Sequence, residues 1–361
     1  MSGVLWQAAA DALAAAAVTL ATTPLVRTAG IRLGIVAHPG GRHVHSGVVP
    51  RIGGVAMFAG VVAGLLVQLS GERFFGWQKV IAVSPRQVVA VAAGALIMFA
   101  VGVVDDVVEM KPGAKFLGQI AAAAAVALGG VRIGYIGNPF GGVIVLGALS
   151  LPLTVLWIVS FANVINLIDG LDGLAAGVSA IAGLSLFALA VQGNTLAAAV
   201  LSAVLVGACL GFLRYNFHPA SVFMGDSGAL TLGFLLACIS LLGVMKSLAA
   251  IALVVPIVIV GVPVFDTFSA IVRRKISGKP IQAADKGHIH HRLLHRGFSH
   301  RQTVTIIYVW SAALAVGGYA VRWAPSSLRL ATLVVLAALS AYMAYWLGLF
   351  EVVHHEDEGE R

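Results

Sequence analysis

The chain has 361 residues, of which 59% are hydrophobic and only 11% charged, with a formal net charge of +8. An ordinary soluble domain carries about 25% charged residues, so this composition and a mean hydropathy of +0.97 exclude a water-soluble globular protein and indicate a membrane protein. The positive balance suits anionic lipid headgroups and phosphate-bearing ligands, and no nucleic-acid partner is expected.

Read in chain order, uncharged runs of about 20 residues recur, each enough to cross about 30 Å of hydrocarbon as a helix. The first lies near Val4–Leu25. Asp11 interrupts its apolar run and no basic segment precedes it, so no cleavable signal peptide is expected. Ile52 to Gly71 and Gln87 to Val104 follow, then a shorter, alanine-rich stretch over Phe116–Val131. In "VRIGYIGNPFGGVIVLG", Val131 to Gly147, β-branched residues flank a Gly/Pro turn and predict a small β-hairpin. Leu151–Asn163 is the next span, and Gly173 to Leu213 is long enough for two, split at Gln192 to Asn194. Ser227 to Met245, Ser247 to Phe265, Gln302 to Val321 and Leu330 to Phe350 complete the set. The expectation is an all-α integral membrane protein with about eleven transmembrane helices. Residues 1–350 are expected to form a single polytopic domain, and 351–361 a short polar tail. Cys209 and Cys238 fall inside predicted spans and read as packing residues, not as disulfide partners or zinc ligands.

Most of the 23 Lys and Arg residues fall on one side if the loop with Arg27, Arg32, Arg42 and Arg51 is cytoplasmic. The positive-inside rule then puts the N-terminus and the β-hairpin outside and the C-terminus in the cytoplasm. With that orientation Asp105, Asp106, Glu109, Asp169, Asp172, Asp226, Asp266 and Asp285 all lie in cytoplasmic loops or at inner span ends. Such clustering predicts a site on the cytoplasmic face.

Five polar stretches carry chemistry. "GRHVHSGVVPRIGG" supplies Arg42, His43, His45 and Arg51 ahead of two glycines, and reads as an anion-binding or backbone-approach loop. "VGVVDDVVEMKPGAKF" sets Asp105 beside Asp106. Adjacent carboxylates repel unless they face water, a cation or a shared proton, so the pair reads as a general base, part of a metal site, or a cap ending the helix. "NVINLIDGLDGLA" places Asn163, Asn166, Asp169 and Asp172 at three-residue steps, which a helix keeps on one side. Its glycines at 170 and 173 argue for a broken helix end where backbone approaches a ligand. Amide oxygens and carboxylates there suit a hard ion such as Mg²⁺. "RYNFHPASVFMGDSGAL" puts Asp226 just before a span, where an acid caps the helix or holds Mg²⁺ against phosphates. Phe223 is a candidate for stacking on a nucleobase. "DKGHIHHRLLHRGFSHRQ" interleaves His288, His290, His291, His295 and His300 with Lys286, Arg292, Arg296 and Arg301. This pattern suits charge stabilisation of a diphosphate or attraction to headgroups. Asp266, after "GVP", is a further polar candidate.

Together "PRIGG", "DD", "NxxNLIDGLDGLA", "FMGDSG" and "HIHHRLLHRG", spread from about Arg42 to Arg301, resemble the polyprenyl-phosphate N-acetylhexosamine-1-phosphate transferases. The histidine motif looks like the branch that uses UDP-N-acetylhexosamines, not the branch that uses the muramoyl pentapeptide. The resemblance implies a helical bacterial plasma-membrane enzyme with Mg²⁺, or Mn²⁺ in its place, in a cytoplasmic cleft. It implies that Asp226 and Asn166 hold the metal, that Asp105 and Asp106 are the essential acid pair, and that Asp169 and Asp172 surround nucleotide and metal. Phe223 and Asn216 match positions near the uracil, and His288, His290 and His291 positions near the diphosphate and sugar. Lys115, with Lys111 nearby, matches a phosphate-binding lysine at looser spacing. Arg51, Asn163, Asp266 and Arg292 complete the candidate substrate contacts. The implied reaction moves N-acetylglucosamine 1-phosphate, or a related hexosamine phosphate, from the UDP-sugar to undecaprenyl or another polyprenyl phosphate. UMP is released and a cell-envelope glycopolymer is begun. Expected partners are those two substrates and membrane lipids, and a homodimer is one possible assembly. The competing readings are a Mg²⁺-dependent intramembrane prenyltransferase, which would release pyrophosphate, and a secondary transporter, whose acids would lie near the midplane.

Overall fold

The computed structural model describes residues 2–37, 49–79, 85–137, 143–244, 254–276, 278 and 288–349. The chain is mostly helical with small strand pairs. Helix α1 (Ser2–Arg32) leads into strand β1 (Val36–Ala37), which pairs antiparallel with β2 (Val49–Pro50). Helices α2 (Gly54–Phe74), α3 (Pro85–Val108) and α4 (Pro112–Leu128) follow. Strands β3 (Tyr135–Gly137) and β4 (Val143–Val145) form the predicted hairpin, with Ile136 opposite Ile144; its turn lies outside the described residues. A single 3-10 turn leads into α5 (Ser150–Ile168), α6 (Leu174–Gln192), α7 (Leu196–Asn216) and α8 (Gly225–Val244). The remainder is α9 (Val254–Ile259), α10 (Gly261–Ile276), α11 (Ile289–His295), α12 (His300–Trp323) and α13 (Ser326–Trp346).

Among the described residues, nine helices are long and apolar enough to cross a membrane. They are α1, α2, α3, α5, α6, α7, α8, α12 and α13. All nine coincide with predicted spans. The alanine-rich stretch appears as α4, which has 17 residues and reaches only about 26 Å at 1.5 Å per residue. The span expected over Ser247 to Phe265 falls on the six-residue α9 and the start of α10, and residues 245–253 lie outside the described residues. Helix α10 is not apolar all round: Val262, Asp266, Ser269 and Arg273 share its buried face at helical spacing.

Helix α8 is the axis of the bundle. It packs against α2, α3, α5, α6 and α7, and 83% of its apolar window is buried. Lipid tails are as apolar as leucine, so helices in a membrane associate through close packing, which small residues permit. Gly225, Gly228, Ala229 and Gly233 supply that along α8. Helix α13 sits at the edge with 11% of its window buried. Because α8 is central, its N-terminus and the ends of α3 and α5 meet at one level. That level carries the polar motifs.

Candidate active site

A cavity of about 860 Å³ opens at this level, within the range of small-molecule sites. Asp105 and Asp106 from α3, Asn163 and Asn166 from α5, and Asp169 and Asp172 from the α5–α6 turn line it. Asn216, Phe223 and Asp226 from the α7–α8 segment join them, with His288, His290 and His291 on the other side. Arg51 also lines it. Three predicted residues stand behind the walls. Lys115 acts from below the acids, Asp266 lies behind His288, and Arg292 reaches the carbonyl of Leu347 at 3.5 Å. Arg42, His43, His45 and Asp285 lie outside the described residues.

The two adjacent aspartates do different work. Asp106 is buried and accepts the backbone N–H groups of Asp226 at 2.7 Å and Ser227 at 3.0 Å. It therefore caps α8 from another helix and satisfies donors that a helix start leaves unpaired. Gly225, at φ +69°, makes this approach possible: a Cβ there would stand 2.2 Å from the Arg51 carbonyl and 2.6 Å from the Asp106 carboxylate. Asp105 accepts from the Met110 N–H at 2.7 Å and from the Lys115 ammonium at 2.9 Å.

Asp226 is the centre of the wall. Lys115 bonds it from α4 and the Asn166 side-chain amide bonds it from α5. The same segment is clamped on its other side by "PRIGG". Gly53 and Gly54 donate backbone N–H bonds to the carbonyls of Phe223 and Met224 at 2.9 and 2.8 Å, and Phe223 donates to the Pro50 carbonyl at 2.8 Å. The backbone approach expected of those glycines is thus to the Asp226 loop. Arg51 itself pairs with Glu109 at 2.7 Å, which ties the first motif to the second.

The three-residue steps of "NVINLIDGLDGLA" do not stay on one helix face. Helix α5 stops at Ile168, so Asn163 and Asn166 ride on it while Asp169 and Asp172 occupy the turn, as the glycines suggested. Asn163 pairs with Gln119, its Nδ2 donating to Oε1 at 2.6 Å. Asn216 is buried and braces the turn: it accepts from the Gly173 N–H at 3.0 Å and donates to the Val222 carbonyl at 3.0 Å. Its side chain positions the site's backbone. Burial pushes the Asp169 carboxyl up to about 8, and the nearby carboxylates of Asp226, Asp106 and Asp172 add to that.

The opposite wall is built on a carboxylate–imidazole pair. Asp266 is buried and accepts from His288 Nδ1 at 2.9 Å and from the Ile289 N–H at 2.8 Å. This fixes the ring and leaves Nε2 as its other nitrogen. His290 lies over Gly170, where a Cβ would come within 2.8 Å of its Nε2. Burial pushes the His290 ring down to about 3, against the pull of Asp266. His290 is therefore a neutral hydrogen-bonding group near neutral pH. Arg274 and Thr267 of α10 also line the cavity. Arg274 stands outside the five polar stretches. The signal that would have found it is its spacing from Asp266, two helical turns along α10.

The residues fit a divalent ion. Asp105, Asp169 and Asp226 offer carboxylate oxygens, and the Asn166 amide presents oxygen in place of nitrogen after a flip. Hard oxygen donors with room for water or phosphate are what Mg²⁺ takes. The Lys115 ammonium already bridges Asp105 and Asp226, so the set is built to hold positive charge.

The sequence model of the family described as Glycosyl transferase family 4 matches residues 88–244, which run from α3 to the end of α8. A Bacillus subtilis (strain 168) protein named probable undecaprenyl-phosphate N-acetylglucosaminyl 1-phosphate transferase is 40% identical over 331 residues, 91% of this chain and 89% of its own length. The chain belongs to this family of polyprenyl-phosphate transferases. It is a multi-pass membrane transferase. The decaprenyl-phosphate N-acetylglucosaminephosphotransferase of Mycobacterium tuberculosis H37Rv is 40% identical over 329 residues, 84% of this chain and 80% of its own length. The phospho-N-acetylmuramoyl-pentapeptide-transferase of Desulforudis audaxviator is more distant, at 33% over 304 residues, 77% of this chain and 86% of its own length.

Proposed function

We propose that the chain transfers N-acetylglucosamine 1-phosphate from UDP-N-acetylglucosamine to undecaprenyl or another polyprenyl phosphate at the cytoplasmic face of a bacterial plasma membrane. The observation that carries this reading is the convergence of Asp105, Asn166, Asp169 and Asp226 opposite His288, His290 and His291 in one cavity at the ends of membrane helices. A prenyl chain must stay in hydrocarbon while its phosphate meets a water-soluble nucleotide, and a cavity at the interface allows both.

An oxygen of the lipid phosphate forms a bond to the sugar-bearing phosphorus, and the bond from that phosphorus to the bridging oxygen breaks. The bridging oxygen leaves with UMP, and a lipid diphosphate sugar remains. One phosphoanhydride replaces another, so the step is close to balanced. The second pKa of a phosphate monoester is about 6, so the nucleophile is already ionised at neutral pH and needs no strong base. Catalysis is then positioning and charge neutralisation.

Asp226, Asn166 and Asp169 would hold Mg²⁺, which when bound neutralises the diphosphate and the leaving UMP. Lys115 guards Asp105 and Asp226 and is placed to exchange a carboxylate for a phosphate oxygen. His288, held by Asp266, and neutral His290 supply hydrogen bonds to the diphosphate and sugar. Phe223 borders the space for the uracil.

A donor screen with the purified protein, Mg²⁺ and undecaprenyl phosphate tests this. The expected product is a lipid heavier by one N-acetylhexosamine phosphate, with UMP in equal amount. Pyrophosphate release from an added polyprenyl diphosphate, with no UMP formed from any UDP-sugar, would establish the prenyltransferase reading, and a muramoyl-pentapeptide product would move the chain to the other branch.

A further inference from the structure

We propose that Asp172, His218 and His300 form a second metal centre, at the rim of the cavity, for a transition metal ion of the Zn²⁺ class. One ligand atom from each of the three residues lies within 4.8 Å of the other two. The residues come from three separate elements: the α5–α6 turn, the segment between α7 and α8, and the first residue of α12.

Asp172 and His218 are already held. His218 Nδ1 is 2.9 Å from Asp172 Oδ2, and the same oxygen accepts the Ala220 N–H at 3.0 Å. The rings of His218 and His300 stack 4.1 Å apart at 18°. His300 opens α12, just after the Ser299–Gln302 capping box. Arg301 adds a 3.3 Å bond to the His218 carbonyl. Tetrahedral ligands at about 2.0–2.1 Å from Zn²⁺ stand roughly 3.4 Å apart. The Asp172–His218 pair is within that spacing, and the His300 ligand atom lies within 4.8 Å of both.

The donor chemistry separates this centre from the one around Asp226. Two imidazoles and one carboxylate suit Zn²⁺ or Co²⁺, whereas an all-oxygen set suits Mg²⁺. Three protein ligands leave a fourth position, and Asp172 and His300 both line the cavity, so that position opens toward the substrate space. Metal binding replaces the proton shared by His218 and Asp172. It also ties the start of α12 to the α5–α6 turn, which Tyr308 of α12 already holds through the Gly173 carbonyl at 2.5 Å.

The test is a Co²⁺ titration of the metal-stripped full chain in detergent, read by visible absorption. The expected result is the intense d–d bands of a low-coordinate site, saturating at one equivalent, bleached by Zn²⁺ and unaffected by a hundredfold excess of Mg²⁺. H218Q and H300Q should each abolish the bands, and H295Q, an exposed control, should keep them. Absence of these bands in the wild-type chain overturns the proposal, as does their survival in both variants or their displacement by Mg²⁺. Because absorption needs no turnover, bands without UMP release would leave this centre standing and remove the transferase reading. UMP release without bands would do the reverse.

Discussion

The two walls of the cavity solve the same electrostatic problem in opposite ways. On the α3–α8 wall, carboxylates are crowded and held together by donors from elsewhere: backbone N–H groups for Asp106, the Lys115 ammonium for Asp105 and Asp226, and the Asn166 amide for Asp226. On the α10–α11 wall, the carboxylate of Asp266 is buried behind an imidazole and its charge is used up in orienting that ring. The first wall keeps negative charge facing the cavity, and the second presents the neutral His290 ring together with the Arg274 guanidinium. A diphosphate cannot approach the first without a cation, and meets no repulsion from the second. The difference teaches that acids near a site are not one class. Asp226 and Asp105 are available to a ligand, whereas Asp106 and Asp266 are committed to the fold around it.

Substitutions sharpen that division. The largest effect is expected at Asp226→Ala, with UMP release falling about a thousandfold, on the scale of losing a preorganised electrostatic group. Asp266→Asn should cost roughly 10–100-fold in kcat, as loss of an orienting partner does, with no change in the Mg²⁺ concentration needed for half-maximal rate. Equal shifts in both parameters for both variants would erase the distinction between the walls. Asp106→Ala should lower stability by about 1–3 kcal/mol, because two buried N–H groups lose their acceptor, and thermal unfolding in detergent reads it.

Asp169 gives the comparison a pH dependence. Its carboxyl is raised from 3.8 to about 8 in the folded chain, so the folded state holds its proton more tightly than the unfolded state does. Stability from this group is fully present below pH 3.8 and is lost as pH rises toward about 8. In metal-free protein Asp169→Asn should flatten the fall in melting temperature over that range. The smallest effect is expected on α13. Leu330→Ala and Val335→Ala, both at exposed positions, should change stability by no more than about 0.5 kcal/mol and leave the rate unaltered.

Much of this architecture was legible in the sequence because the bilayer imposes a length. Long apolar runs located the nine helices that are long and apolar enough to span, and Gly–Asn–Pro located the hairpin region. Two stretches were less legible. Helix α4 is short, and α10 carries a buried polar face that hydropathy cannot separate from a loop end. The site residues were legible as motifs because charge is costly in hydrocarbon and stands out there. Their division of labour was not. Nothing in "DD" says that Asp106 caps a helix 120 positions away while Asp105 faces a lysine. Nothing in "PRIGG" says that its backbone pairs with "VFMGD". These are long-range contacts, and residue type alone does not carry them. His218 escaped notice for the same reason: its partners, Asp172 and His300, lie on other elements.

The central claim is that the carboxylate wall grips a divalent ion that also touches the donor's diphosphate. Mn²⁺ in place of Mg²⁺ makes it directly measurable through ³¹P hyperfine coupling in the presence of UDP-N-acetylglucosamine. The account predicts coupling from directly bound phosphate in the wild-type chain and its loss in Asp226→Ala. Bound Mn²⁺ with the same coupling in both proteins would contradict it.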